Sequence, residues 1–446
     1  MWECQDQVAP RATARTMRAV TSNRHSQFFI IFLTILLSTI GFGVCIPVLP
    51  LYAEKFGASE FVNGLLTGVF SLMVMIASPL WGKLSDRVGR RPVLIISIIG
   101  SAVGYFVMGW AGSLAWLFVA RIIDGASGGN VATAQAYIAD ITKPEERSKA
   151  MGMIGAAFGL GFIIGPAVGG ILAKWSVHRT LAGMSIDIPE GHMPFYFVGL
   201  LCIVNAVMVQ ISLPESLTEA RRSRAHTEQP ISELFNHSDG AVFTTVSASY
   251  FVSLAAFSIM TAVFSLFGQV RFGLDAKHIG YIMAAIGVIG VIMQGGVLRR
   301  ILPVFGEVKL ARTGFVLLLI SFILLPLASG MVSLLAVSCL IAFGNSLTQP
   351  TLNGLASRSV EASWQGRAMG LLQSAASLGR GTGPILGGWL LGLDRGDPAH
   401  YGRTPFWVAA ALMILTLAIS GGLRIPSRGV GAVQRGEADT EPAAEI

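Results

Sequence analysis

The sequence AMGMIGAAFGLGFIIGPAVGG at residues 150–170 returns as AMGLLQSAASLGRGTGPILGG at residues 368–388, a constant offset of 218. Both stretches open with Ala-Met-Gly and continue with the same glycine-proline pattern. The shared positions are Gly161, Gly165, Pro166, Gly169 and Gly170 in the first copy and Gly379, Gly383, Pro384, Gly387 and Gly388 in the second. Self-similarity of this length at one offset predicts a chain built from two related halves.

The composition around these stretches is strongly apolar: of 446 residues, 53% are hydrophobic and 13% are charged. Since an average soluble domain has about 25% charged residues, this composition excludes an ordinary soluble enzyme. A bilayer core needs about 20 apolar residues per helix. Twelve runs meet that criterion: residues 28–52, 61–81, 92–111, 114–139, 150–173, 194–213, 243–271, 278–298, 309–330, 332–356, 367–392 and 405–423.

One long polar interval divides the twelve predicted spans into two groups of six. We therefore predict an all-α membrane protein with twelve transmembrane helices in two pseudo-symmetric six-helix bundles. The expected domains are an amino-terminal tail at 1–27, a bundle at 28–213, a linker at 214–240, a second bundle at 241–424 and a carboxy-terminal tail at 425–446. Two parallel six-helix repeats are the architecture of alternating-access transporters, which bind substrate between the halves.

The positions of the basic residues predict the orientation. Most of the 32 Lys and Arg residues fall in the amino terminus, in every second loop and in the carboxyl terminus. Because cytoplasmic loops retain basic residues, both termini are expected in the cytoplasm of a multi-pass protein of the plasma or inner membrane. The net charge of +7 is thus a consequence of topology and does not indicate nucleic-acid binding.

The loop after the second span carries a family signature. It reads GKLSDRVGRRP at residues 82–92 and fits GxLxDRxGRR at every fixed position. With this loop and the glycine-proline pattern, residues 28–424 resemble the major facilitator superfamily, and within it the twelve-helix drug:proton antiporters that include tetracycline and multidrug efflux transporters. The resemblance implies proton-coupled efflux, and it implies that the glycine-proline helices pack tightly and limit leak.

The signature loop is expected to act as a cytoplasmic gate. Asp86 is expected to meet the start of span eleven, and Arg90 to pair with Asp140 at the end of span four. The alternative is a purely structural basic loop, which the orientation alone would require. The gate residues are Gly82, Asp86, Arg87, Gly89, Arg90, Arg91 and Asp140.

The resemblance has a gap at three positions. Where tetracycline transporters carry membrane-embedded aspartates in spans one, three and nine, this chain has Ser38, Gly104 and Leu318. Binding of a cationic or metal-chelated drug through those carboxylates is therefore not implied.

Three ionisable residues fall inside the predicted spans: Arg121, Asp124 and Arg380. Each costs at least about 2.5 kcal/mol to insert, so such residues pair or face a wet cavity. Arg121 and Asp124 are one helical turn apart. We expect them to line the central cavity and to couple transport to protons, with Asp124 alternating between an ion pair and a protonated state. The alternative is a permanent structural pair.

Arg380 stands where the first repeat has Phe162. It adds a second buried cation against one buried anion, which favours neutral or anionic amphiphiles as substrates. The alternative is a salt bridge to Asp124 across the halves. The residues expected to line the substrate cavity are Gln135, Asn345, Gln349, Asn353, Gln373 and Arg380.

The functional expectation is a secondary transporter that exports hydrophobic or amphipathic drugs in exchange for protons. The alternative is a proton symporter or uniporter for a metabolite or an organic anion. No GxxxxGK[ST] stretch, metal-ligand spacing or catalytic constellation is found, so an enzyme is not expected. No cofactor or metal is expected; the partners are a small-molecule substrate, protons and lipid, and the chain is expected to work as a monomer.

Overall fold

The computed structural model describes residues 14–142, 147–181, 184–216, 239–361, 364–397 and 399–424. Within these ranges a helix, whole or broken, lies at each of the twelve predicted spans. The first half contains α1 (Ala14–Glu54), α2 (Glu60–Val88), α3 (Arg90–Trp110), α4 (Leu114–Ala126), α5 (Asn130–Ile141), α6 (Arg147–Leu172), β1 (Val177–Leu181), β2 (Met184–Ile188) and α7 (Met193–Ser212).

The second half has helices and no β-strand among its described residues. It contains α8 (Gly240–Phe272), α9 (Ala276–Ile292), a π-helical turn (Met293–Val297), α10 (Leu298–Phe305), α11 (Glu307–Leu324), α12 (Met331–Arg358), α13 (Gln365–Leu393) and α14 (Arg403–Ile419). Ten helices among the described residues are long and apolar enough to cross a membrane. The predicted fold class, an all-α membrane protein in two six-helix halves, is confirmed.

The fourth span differs from the prediction because it is two helices rather than one. A turn at residues 127–129 separates α4 from α5. The Trp81 indole packs on Gly129, where a methyl group would lie 2.4 Å from the Trp81 Cβ. Its Nε1 donates a 2.6 Å hydrogen bond to the Ala126 carbonyl oxygen. Glycine has a lower helix propensity than every residue except proline. A carbonyl oxygen that is engaged outside the helix ladder also favours a break.

A short hairpin is the second difference. Strands β1 and β2 pair antiparallel in the loop between α6 and α7, with Val177 opposite Ile188. The loop contains several β-branched residues, which favour extended backbone. Hydropathy identifies only the flanking helices and therefore gives no sign of this pairing.

The two halves turn in the same way at equivalent points. Gly89 joins α2 to α3 with φ 122°, and Gly306 joins α10 to α11 with φ 75°. Residues other than glycine rarely adopt such backbone angles. The second-half copy of the signature loop is thus degenerate in sequence but keeps the glycine that its turn requires.

The repeated glycines pack each repeat helix onto the first helix of its own half. Gly161, Gly165 and Gly169 of α6 lie against α1, where a methyl group at Gly165 would be 2.7 Å from the Ile40 carbonyl oxygen. In the second half, Gly379, Gly383 and Gly387 of α13 lie against α8 in the same way. Small residues let helix backbones approach this closely.

The prolines and last glycines of the repeats lie at contacts between the halves. A methyl group at Gly280 of α9 would be 2.3 Å from the Pro166 carbonyl oxygen of α6. A methyl group at Gly64 of α2 would be 2.3 Å from the Pro384 carbonyl oxygen of α13. We call these two contacts, α6 with α9 and α13 with α2, the crossings.

Both crossings lie at one end of the molecule. We call this end, where α2 and α9 begin and α6 and α13 end, the distal end; the opposite end, where α1 and α8 begin, is the terminal end. The Ser265 hydroxyl also joins the halves here, donating to the Ile46 carbonyl oxygen at 3.0 Å. Toward the terminal end, Gly155 of α6 and Gln373 of α13 are exposed. The halves are closed distally and separated at the terminal end.

Candidate functional site

The space between the halves is bordered on one side by a polar face of α13. Gln373, Ser377 and Arg380 follow one another at intervals of four and three residues, so they share a face. The opposite face is exposed on the outside of the molecule, with Leu378 39% and Trp389 53% exposed. The polar face therefore points inward.

The equivalent face of α6 is apolar. At the offset of 218, Gly155, Gly159 and Phe162 correspond to Gln373, Ser377 and Arg380. Phe162 makes an edge contact with Phe42, whose ring in turn lies 5.8 Å from that of Phe70. This aromatic cluster and the polar face of α13 form opposite walls of the space between the halves.

Arg121 and Asp124 form a buried ion pair in α4. The Arg121 Nη1 lies 3.4 Å from the Asp124 Oδ2, and the two residues are 1% and 4% exposed. Arg121 also stacks on Phe70, 4.1 Å from the ring centroid, and its Nε lies 3.4 Å from the Leu66 carbonyl oxygen of α2. The guanidinium is therefore held by three groups at once.

The position of this pair differs from the expectation of a cavity lining. Asp124 packs against α3, where a methyl group at Gly104 would lie 2.9 Å from the Asp124 Cβ, and its carboxylate accepts a hydrogen bond from Ser101. Helical periodicity showed that the polar residues of span four share a face. It did not show that α1, α2 and α3 cover that face in this conformation.

Arg380 lies at the inner end of the polar face, next to Gly381, which contacts Leu72 of α2. Its Nη2 donates a 3.0 Å hydrogen bond to the Ser377 hydroxyl. No carboxylate among the described residues lies within ion-pair distance of it. The alternative of a salt bridge from Arg380 to Asp124 is not formed, since Asp124 pairs with Arg121.

Two other predicted cavity residues, Asn353 and Gln373, lie around the same tyrosine as Arg380. The Tyr250 hydroxyl of α8 interacts with the side-chain amides of Asn353 and Gln373 and lies near Arg380. Tyr250 is 3% exposed, and the Asn353 Oδ1 is buried without a hydrogen-bond partner. Sequence reasoning missed Tyr250, because an aromatic residue in an apolar helix gives no signal of its own.

The remaining predicted cavity residues are half-buried. Asn345 and Gln349 lie on the same stripe of α12 as Asn353, and Gln135 lies on α5 in the other half. The structure thus brings together Asn353, Gln373 and Arg380, and it places Gln135 apart from them.

The signature loop is held by a network within the first half. Arg90 donates from its Nε to the Asp140 Oδ2 at 3.1 Å, the expected pair. Asp86 does not meet the start of α13; its carboxylate lies 2.6 Å from the Arg90 Nη2 instead. The halves are separated at this end, so a contact between Asp86 and α13 requires the other conformation. Gly82 joins the network through Ser85, whose hydroxyl donates to the Gly82 carbonyl oxygen at 2.8 Å and accepts from the Arg90 Nη1 at 2.6 Å. Arg91 donates to the Gln210 carbonyl oxygen.

Glu215 was not expected in this network. Its carboxylate accepts hydrogen bonds from the backbone amides of Arg90 and Arg91, at 2.8 and 3.1 Å. A carboxylate at a helix amino terminus satisfies free amides and favours the helix dipole. The charge-rich composition of residues 214–240 indicated a solvated linker, and nothing in it distinguished this one carboxylate.

Each crossing carries an ion pair at the distal end. Lys174, after α6, lies 2.5 Å from Asp275, before α9. Arg395, after α13, lies 3.5 Å from Glu60, at the start of α2. Partial burial raises the pKa of Asp275, but hydrogen bonds from Lys174 and from the His278 amide outweigh it and hold that pKa below its usual range.

A crevice opens on the outward side of α13, the side that carries Leu378, away from the polar face. It has a volume of about 390 Å³ and lies between α2, α8 and α13 in the terminal half of the molecule. Its walls are mostly apolar, with three hydroxyl groups. The lining residues are Met75, Phe243, Thr244, Ser247, Leu371, Ser374, Ala375 and Leu378.

Comparison with known proteins adds a family and several relatives. The model of the Major Facilitator Superfamily matches residues 31–381 and 300–444. Tetracycline resistance protein, class B, of Escherichia coli is 32% identical over 357 residues, which cover 79% of this chain and 85% of that protein. Multidrug resistance protein 2 of Bacillus subtilis (strain 168) is 30% identical over 408 residues, covering 89% and 95%.

Two solved structures are similar over most of the chain. The human organic anion transporter TETRAN has a TM-score of 0.67 at 25% identity and covers 89% of this chain and 99% of its own. An inward-facing bacterial homolog of the human lysosomal transporter Spinster has a TM-score of 0.75 at 16% identity, covering 95% and 99%. The second likeness supports the fold alone.

Proposed function

This chain belongs to the Major Facilitator Superfamily, and from that premise we propose that it exports hydrophobic or amphipathic compounds across the cell membrane in exchange for protons. Its curated relatives named for tetracycline and multidrug resistance cover most of its length. The transport cycle is alternating access, in which the halves open first to one side and then to the other. One chain contains both halves, so it works as a monomer.

The described conformation is one of the two states in this cycle. With the termini in the cytoplasm, as the basic loops indicate, the terminal end faces the cytoplasm and the distal end faces outward. The crossings then seal the outer side while the space between the halves is open inward. A substrate enters from the cytoplasm or, through the crevice beside α13, from the inner leaflet.

The buried pair of Arg121 and Asp124 carries the proposal of proton coupling. A carboxylate at membrane depth is stable when ionised beside a cation or when protonated and neutral. Asp124 has both options, because the 3.4 Å contact with Arg121 stabilises its ionised form, and a bound proton removes its charge. Protonation then leaves Arg121 with only its remaining contacts, so the two states differ in the interactions of this guanidinium. It therefore takes up a proton in one state and releases it in the other.

Arg121 connects this proton to the movement of the halves. Its guanidinium contacts Leu66 and Phe70 of α2, and Leu66 lies between Gly64 and Gly68, which form the crossing with α13. Protonation of Asp124 frees the guanidinium to strengthen its contacts with α2. The proton thus acts on the helix that opens and closes the distal end.

The signature loop secures the opposite state. When the terminal end closes, Asp86 leaves Arg90 and turns to the amino terminus of α13, where the helix dipole favours a carboxylate. Arg90 remains fixed by Asp140, and the Glu215 cap holds the start of α3 in place. Exchange of one carboxylate between these partners is the gating event.

Drug-triggered proton release tests this function. Inverted vesicles that contain the full chain are energised to an acid interior, and proton efflux is recorded with a pH dye as tetracycline, ethidium or rhodamine 123 is added. We expect release in the wild type and none in Asp124→Asn, with rates normalised to folded protein. Asp397→Asn is the matched control, since Asp397 lies exposed in the distal loop and its side chain contacts Ala399 and His400 among the described residues.

The outcomes separate the alternatives. Equal release in the wild type and Asp124→Asn would make Asp124 a structural partner of Arg121 and leave efflux standing. No release with any compound would favour uptake of a metabolite by symport or uniport, which the direction of flux on an imposed pH gradient identifies.

A further inference from the structure

Arg380 is a cation for which the described part of the protein supplies no anion. Its one hydrogen bond goes to the neutral Ser377 hydroxyl. Arg121, the other arginine at this depth, has a carboxylate 3.4 Å away and an aromatic face beneath it. A half-buried guanidinium at membrane depth that has no anion among the described residues favours a site that an anion enters from outside.

The direction of Arg380 places it where a substrate passes. The two glycines that flank Arg380 on α13 contact different helices. Gly379 lies against Phe251 of α8, and Gly381 lies against Leu72 of α2. Arg380 lies between these two contact faces and opposite the exposed outer face. It thus marks the inner end of the space between the halves, where the crossing begins.

The groups around Arg380 are donors and neutral polar groups. The Tyr250 hydroxyl interacts with the amides of Asn353 and Gln373, and the Asn353 Oδ1 is buried with no partner. The free Oδ1 is an acceptor and makes no hydrogen bond to an anion, so the donors that Asn353, Gln373 and Tyr250 offer are amide N–H groups and a hydroxyl proton. Together with the planar guanidinium, they match a carboxylate or sulfonate, which accepts several hydrogen bonds and donates none.

The facing wall defines the rest of the ligand. Phe162 occupies the position in α6 that is equivalent to Arg380, and it is 37% exposed. It leads an aromatic cluster with Phe42 and Phe70. A ligand that spans the space would place ring systems against this wall and its charge against α13.

We propose that Arg380 binds the anionic group of an aromatic organic anion, a carboxylate or sulfonate on a hydrophobic ring system, while Phe162 and its neighbours contact the rings. The proposal rests on the proposed transport function and gives that function a substrate class. Arg380 is then the residue that distinguishes anions from cations, whereas Asp124 carries the proton.

Two dyes with one ring system and opposite charge test the proposal. Fluorescein and rhodamine 123 share the xanthene skeleton, and the first is anionic while the second is cationic. The full chain in proteoliposomes is given each dye with an imposed pH gradient, and retained dye is measured after filtration. Binding of each dye to the detergent-solubilised chain is measured separately by fluorescence anisotropy.

We expect Arg380→Gln to lower fluorescein binding and transport by about tenfold or more, because a charge-assisted bidentate contact is lost. The same variant removes a like charge from the path of rhodamine 123, so binding and transport of this cation are expected to rise rather than fall. Arg380→Lys keeps the charge but not the planar fork and is expected to fall between the two. Arg380→Phe, which copies the first repeat, should lose fluorescein as fully as Arg380→Gln.

Three results would overturn the proposal: fluorescein binding that is unchanged in Arg380→Gln, an equal loss of both dyes, or a wild type that moves rhodamine 123 yet neither binds nor moves fluorescein. In the third case the efflux function stands without its anionic substrate. Conversely, Arg380-dependent fluorescein binding without transport of any compound supports this site and contradicts the proposed efflux.

Discussion

Residues 155, 159 and 162 of α6 and residues 373, 377 and 380 of α13 occupy the same face of the same repeat, yet they differ completely in chemistry. The first set is Gly, Gly and Phe, and the second is Gln, Ser and Arg. By contrast, the glycines and prolines that the two copies share lie on the adjoining faces and make equivalent contacts. The residues that pack α6 and α13 onto other helices are thus alike in the two repeats, whereas the residues that face the space between the halves differ.

This difference separates two tasks within one repeat. Closing the distal end needs two backbone crossings of the same geometry, so both copies keep the residues that permit close approach. Binding an asymmetric substrate needs two unlike walls, so the inner faces diverge. The same logic applies to the arginines, since Arg121 is paired and packed while Arg380 is left with neutral partners.

The largest expected effect comes from disrupting the two crossings, whose packing is equivalent in the two repeats. Gly64→Leu and Gly280→Leu each place a side chain where a methyl group would already lie 2.3 Å from a proline carbonyl oxygen. We expect each to abolish transport by holding the distal end open, which labelling of a cysteine introduced in a distal loop would detect. Gly295→Leu is the matched control, since no atom lies within 4 Å of a methyl group there. Full transport by either crossing variant would contradict the assigned role of the crossings.

The two arginines should respond differently to loss of charge. Asp124→Asn leaves Arg121 buried without its anion, which is expected to lower the free energy of unfolding by about 3 kcal/mol or more. Arg121→Gln/Asp124→Asn removes both charges and should recover much of this loss. Arg380→Gln leaves no carboxylate without its cation. We expect this variant to change the free energy of unfolding little or to raise it. Thermal unfolding in detergent makes the comparison, and equal losses for Asp124→Asn and Arg380→Gln would show that Arg380 has a protein partner after all.

The smallest expected effect concerns the exposed ion pairs over the crossings. Asp275→Asn should reduce distal closure slightly, and added salt should diminish the difference, because such pairs are screened. The pKa of Asp275 is held below its usual range, so its contribution is present above the unfolded-state pKa and is lost only as the pH falls through the lowered value. We therefore expect the difference between the wild type and Asp275→Asn to be present at neutral pH and to disappear only in strong acid, where Asp275 is protonated. Distal cysteine labelling at each pH measures it, and equal labelling of the two proteins at neutral pH and low salt would contradict the assignment.

The sequence was sufficient to place the helices, because lipid requires long apolar runs and allows few other structures. It was insufficient at residues 127–129, where apolar periodicity continues through a turn that depends on Trp81, 45 positions away. The sequence showed that Arg380 has no counterpart in the first repeat, because Phe162 occupies the equivalent position. The sequence did not show what surrounds Asp124, because helical periodicity assigns residues to a face without indicating which helices cover that face.

The unpredicted cap on α3 has a consequence for biosynthesis. Glu215 binds the amides at the start of α3 from 125 positions further along the chain. At translation rates of about 5–20 residues per second, the start of α3 waits roughly 6–25 s for its carboxylate to be made. With the termini in the cytoplasm, as proposed above, the nascent protein would expose an uncapped, positively charged helix end at the cytoplasmic side of the membrane during that interval. Glu215, which lies just after the last helix of the first half, therefore completes the start of α3. A fragment that stops at the end of α7 lacks the hydrogen bonds between Glu215 and the amides of the signature loop.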